Sequence, residues 1–133
     1  MIRGTTAQFK FKLPYKKEEL IWLTIKFWQP NNPNKYLPVT KRLANCEMPD
    51  GSTELYVSLL PTETMLFSEK YKARVQLRAN ALDGTVFGSR VELFTVYPAN
   101  DEILDEDPAI PAQNKAGFVT LDGDSVSGGS VVG

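Results

Sequence analysis

In the stretch YKARVQLRANALDGTVFGSRVELFTV, residues 71–96, Lys72, Arg74, Gln76 and Arg78 stand at every second position, and Arg90 follows beyond Asp83-Gly84. A spacing of two puts such side chains on one face of a strand. A row of ammonium and guanidinium groups is chemistry for anions, either phosphate backbones or acidic protein surfaces. Alternation by itself also places long polar side chains on the wet side of a sheet, where their stems shield it. Nucleic acid would ask for aromatic platforms beside the charges, and Trp22 and Trp28 supply them only if their outward phase lies on that same sheet. A solvated or partner-facing sheet is the favoured reading, and nucleic acid is the less favoured partner.

Trp22 and Trp28 share the polar phase of one segment. Indoles are costly to leave in water and are enriched at interfaces. They mark either a protein interface or a strand covered on both sides. As stacking platforms they also fit a carbohydrate- or receptor-binding module.

The remaining candidates for chemistry are poor. Histidine is absent, which removes the usual general base, the Ser–His and Cys–His pairings and the commonest transition-metal ligand. Cys46 is the single cysteine, so no internal disulfide forms, and it reads as a packed or idle thiol. The carboxylates of DEILDEDP and LDGDS lack the spacing of a calcium loop. The glycines near the C-terminal end precede no lysine or helix and form no phosphate loop. These observations point away from an enzyme and imply no cofactor and no metal. No run of about 18 apolar residues offers a membrane span, and the opening residues lack the pattern of a signal peptide. The sequence reads as a protein made in a cytosol and kept there until it assembles.

The elements that position these residues follow from periodicity. Ala7, Phe9, Phe11 and Leu13 alternate with Gln8, Lys10 and Lys12, which predicts a half-buried strand. A second strand, about Leu20 to Trp28, is expected to turn Ile21, Leu23, Ile25 and Phe27 inward and Trp22, Thr24, Lys26 and Trp28 outward. QPNNPNK is a turn. A proline-interrupted edge strand follows around Tyr36 to Leu43, and Leu55, Val57 and Leu59 mark another strand. PTETMLFSE reads as a short helical turn capped by Thr62, with Met65, Leu66 and Phe67 plugging an end of the core. In the quoted hairpin Tyr71, Ala73, Val75, Leu77 and Ala79 take the buried phase. Its Asp83-Gly84 turn has two residues that tolerate positive φ. Six to seven short strands with turn signals between them predict an all-β fold, an immunoglobulin-like antiparallel sandwich, with a small closed barrel as the alternative.

The domain is expected to span residues 1–97, followed by an acidic linker and a Gly/Ser/Val-rich arm over 98–133. Residues 1–97 carry fourteen Lys and Arg against nine Asp and Glu, a balance of +5, while residues 98–133 carry Lys115 alone against seven carboxylates, a balance of −6. Phe118, Val119 and Leu121 in the arm are suited to adding a strand to a neighbouring sheet.

Three stretches in order, MIRGTTAQFKFKLPY, VSLLPTETMLF and ARVQLRANALDGTVFGS, resemble small proteins encoded in tailed bacteriophages and prophages of gut Firmicutes. More distantly they are similar to the N-terminal sandwich of phage baseplate upper proteins. The resemblance covers roughly residues 1–96. It implies a virion structural or accessory protein with no catalytic residues, made in the bacterial host. Its partners would be capsid, neck or baseplate subunits, with self-association a further option. Head decoration or a head/neck-associated place is favoured; a baseplate or tail-fibre adaptor is the alternative. The expected interface residues are Trp22, Trp28, Arg74, Arg78, Arg90, Phe118, Val119 and Leu121.

Overall fold

Alternation of apolar and polar residues dictates the strands found in the computed structural model, which describes residues 1–99 and the backbone of 119–121. The strands are β1 (Ala7–Lys12), β2 (Leu20–Trp28), β3 (Val39–Arg42), β4 (Glu54–Leu59), β5 (Ala73–Ala81), β6 (Val86–Gly88), β7 (Glu92–Phe94) and β8 (Val119–Leu121). Among the described residues helix is confined to α1 (Pro61–Thr64) and two single 3-10 turns. The fold is all-β, and among the described residues no helix is long and apolar enough to cross a membrane.

One sheet has the order β4-β1-β8, the other β3-β2-β5 with β6 and β7 both paired to the far edge of β5. The pairings are antiparallel except for β1 with β8 and an isolated bridge between Ile2 and Tyr97, which are parallel. The inward phases meet between the sheets. Phe9 of β1 lies against Phe27 of β2 (ring centroids 4.9 Å apart) and Phe94 of β7 (5.1 Å). Phe67, just beyond α1, closes the end of the core and is fully buried, whereas Met65 beside it is exposed. Each such ring contributes on the order of 2–3 kcal/mol by leaving water.

Local departures from strict alternation each have a cause. Register slips by one between Leu20 and Trp22, a β-bulge that turns Ile21 out to 54% exposure instead of inward. Tyr71 lies before the start of β5 and is exposed rather than buried. The helical turn begins at Pro61, so Leu60 occupies the cap position, and its N–H is taken by the Glu63 carboxylate at 2.8 Å, not by Thr62. At the hairpin tip only Gly84 adopts positive φ (91°). Asp83 instead accepts from Thr85 N–H (2.9 Å) and Tyr15 O–H (2.8 Å), and these bonds hold its carboxyl below the usual range.

Polar corners carry the chain between sheets. Gln29 continues the inward phase of β2 past Phe27 and is buried. Its Nε2 donates to the carbonyls of Ser68 (2.7 Å) and Tyr71 (2.8 Å), while its Oε1 accepts from Ser68 N–H (2.8 Å) and Asn32 Nδ2 (2.7 Å). All four hydrogen-bonding positions of the amide are filled. Thr64, also buried, accepts from Gly4 N–H (2.9 Å) and donates to Thr5 O (2.8 Å), with Arg3 reaching Met65 O (3.2 Å) and Glu69 (3.3 Å). Ser89 sits where the partner of β5 slips by one residue between β6 and β7; its Oγ accepts from Leu77 N–H at 2.9 Å. At the same place the backbones approach so closely that a Cβ on Gly88 would stand 2.7 Å from Leu77 O.

Gln29→Ala removes the amide that satisfies four groups at a corner, and it is expected to cost about 2–4 kcal/mol in urea unfolding. Thr62→Ala, at an exposed position without a capping bond, should stay within about 0.5 kcal/mol of the parent. Equal losses in the two variants would remove the corner role assigned to Gln29.

Candidate docking face

β2 and β5 pair over nearly their whole length, and the register sets their outward residues opposite one another: Trp22 with Asn80, Thr24 with Arg78, Lys26 with Gln76, Trp28 with Arg74. β3 adds Arg42 beside Thr24 and Thr40 beside Lys26. On the other side Val86 faces Asn80, Gly88 faces Arg78 and Leu93 faces Arg74. Four rows therefore cross the sheet. The two end rows hold the indoles with Leu93 or Val86, and the two middle rows are polar and cationic.

The strand pairing thus answers the question raised by the alternating arginines. Trp22 and Trp28 lie on the same face as Arg74 and Arg78, separated along β2 by six residues, on the order of 20 Å. Trp22 is 41% exposed and Leu93 58% exposed, while Trp28 is half-buried beside Arg74. Between the indoles lies a shallow depression of about 160 Å³ lined by Thr24, Lys26, Gln76 and Arg78.

The electrostatics are one-signed. Lys26, Arg42, Arg74 and Arg78 are outward, and no carboxylate occupies an outward strand position among the described residues of this sheet. Three ion pairs of the described residues, Arg3–Glu69, Lys10–Glu54 and Lys41–Glu63, lie elsewhere. Such a face focuses a positive potential toward an approaching partner. Asn80 Oδ1 is shielded from solvent and accepts no hydrogen bond within the described residues, leaving an acceptor next to Trp22.

Other expected site residues fall differently. Arg90 is exposed in the slip between β6 and β7 and faces no β5 residue. Lys72 donates to Thr95 Oγ1 at 2.7 Å. Val119–Leu121 forms a strand beside β1 of its own chain, Phe9 opposite Val119 and Phe11 opposite Leu121. Phe118 lies outside the described residues. Arg42, Val86 and Leu93 join the face only through strand pairing, and no local pattern in the sequence singles them out.

Among the described residues no nucleophile and base come together on this face. Cys46 is buried behind β3, its Sγ directed at Arg42 O (3.3 Å), and burial pushes the thiol up to about 12, with Lys41 and Lys17 pulling weakly the other way. Among the described residues no group of three His, Cys, Asp or Glu side chains comes together. A second hollow of about 240 Å³ lies between Gln8, Asn45, Glu47 and Tyr56, and its Lys41 is committed to Glu63 at 2.7 Å.

Cys46 is expected to stay unmodified by a thiol reagent at pH 8 in the native protein and to react at once in urea. Its raised value also makes the native state lose stability as pH climbs above the ordinary thiol value of 9.0 toward about 12, because the unfolded chain gives up the proton first. Rapid native-state labelling would contradict the burial.

Comparison with known proteins brings no match: no family model fits the chain, no curated protein matches it, and no solved structure does.

Proposed function

We propose that this chain is a non-enzymatic structural module of a bacteriophage particle, an immunoglobulin-like sandwich that docks through the outer face of its five-stranded sheet. The observation that carries the reading is that face: two partly exposed indoles at the ends of a cationic field in which, among the described residues, no carboxylate takes an outward strand position. Aromatic and arginine side chains are the residues that dominate protein interfaces. The field adds orientation and rate to docking on an acidic partner.

The connectivity supports the sandwich assignment. A pair β1–β4 opposite a sheet ordered β3-β2-β5 with β6 and β7 corresponds to strands B and E facing C′, C, F and G of the immunoglobulin arrangement.

The resemblance to phage proteins supports the particle assignment. The residues that carry it have structural roles: Arg3 and Gly4 meet Thr64 and Met65, and Gln76 and Ser89 fix the hairpin slip. A head-decorating or head/neck place is the favoured one, and a baseplate adaptor is the second place. Glycan binding is less well served, because the indoles stand farther apart than one sugar ring spans and cations fill the gap.

Co-sedimentation of the purified chain with particles from its source tests the reading. Arg74→Glu with Arg78→Glu should reduce binding by about tenfold or more, and Trp28→Ala by a similar factor. Circular dichroism of these variants should match the parent. Particle binding undiminished in both variants would overturn the proposal.

A further inference from the structure

We infer that the cationic face receives the acidic stretch over residues 101–107 of a second copy, so that copies associate head to tail. The inference rests on the docking-face reading and names a partner for that face.

Charge complementarity carries it. Residues 101–107 hold five carboxylates, Asp101, Glu102, Asp105, Glu106 and Asp107, around the apolar pair Ile103 and Leu104. The face offers the converse: Lys26, Arg42, Arg74 and Arg78 around and between apolar Trp22, Trp28 and Leu93. An extended segment of seven residues covers roughly 23 Å, about the separation of the two indoles along β2.

Topology favours a neighbour over the same chain. The connection over 100–118 begins after Ala99, whose Cβ lies 3.9 Å from the place of a Cβ on Gly4. It ends at Val119, opposite Phe9. Gly4 and Phe9 are five residues apart, at most about 17 Å, so both ends are anchored along the segment that leads into β1. The cationic face is the outward side of the other sheet. The face that the acidic stretch meets is assigned to another copy. Face and segment are different surfaces of one molecule, so the contact is heterologous, giving a ring where it closes and a filament where it does not.

Sedimentation velocity of the full chain over a concentration series tests this at about 0.1 M and about 1 M salt, between which the screening length falls from about 10 Å to about 3 Å. The parent should associate at low salt and weaken by about tenfold or more at high salt. One variant reverses the face (Arg74→Glu, Arg78→Glu). A second neutralises the segment (Asp101→Asn, Glu102→Gln, Asp105→Asn, Glu106→Gln, Asp107→Asn). Each should remain monomeric alone, and their mixture should give a 1:1 pair that grows no further. The two tryptophans of the chain both lie on the face, so their emission should shift with association. A parent monomeric at every concentration overturns the inference, as does association undisturbed in either variant. An emission difference between parent and neutralised variant that ignores concentration overturns it in favour of the chain's own segment. A monomeric parent that binds a single-stranded oligonucleotide through the same arginines overturns it in favour of nucleic acid. Loss of particle binding in the face variant beside a monomeric parent removes self-pairing alone, whereas retained particle binding removes the docking reading.

Discussion

The antiparallel ladder between β2 and β5 is the interaction on which the rest depends. It is the longest pairing among the described residues, and because side chains alternate, one register serves two surfaces at once. Inward it stacks Leu23, Ile25 and Phe27 against Ala79, Leu77 and Val75; outward it lines up Trp28 with Arg74 and Thr24 with Arg78. A slip by one residue would bring indoles and guanidinium groups into the core and expose the aliphatic residues. The face is therefore as strongly specified as the core is, although its own contacts contribute little to folding.

The sheets are held in register with each other by polar corners as much as by apolar contact. Phe9 against Phe27 presses the layers together, but that attraction is non-directional. Gln29, Thr64 and Ser89 add direction. Each is buried, and each satisfies backbone groups that the strand ladders leave over. Gln29 ties the end of β2 to the connection between α1 and β5, and Thr64 ties α1 to the segment before β1.

Bulges tune the docking face. The extra residue at Ile21 lets Leu20 pack inward while Trp22 remains outward. The slip at Ser89 ends the pairing of β6 and restarts it as β7, which brings Leu93 opposite Arg74. Without the second slip, the row at that end would lose its apolar edge, and Trp28 would have only charged neighbours across β5. Both irregularities lie beside the face, where a local change of twist re-aims side chains without disturbing the core.

By itself the sequence determined the strands, the inward residues of β1, β4 and β5, the edge position of β3 and the Asp83-Gly84 turn. These follow from period-two alternation and from turn residues whose preferences are local. Its misreadings were local too: Ile21 at a bulge, Tyr71 beyond a strand end, Thr62 displaced from a cap by Pro61. Gln29 was within reach, since it continues the inward phase after Phe27, and a polar residue in that phase calls for partners. Only the tertiary structure decided that the tryptophans of β2 and the arginines of β5 share one face, that Arg42, Val86 and Leu93 complete it, and that β8 lies on its own chain's β1. Those facts depend on which strands pair and in what register, and the energy that selects the pairing comes from burial summed over both sheets rather than from any one segment.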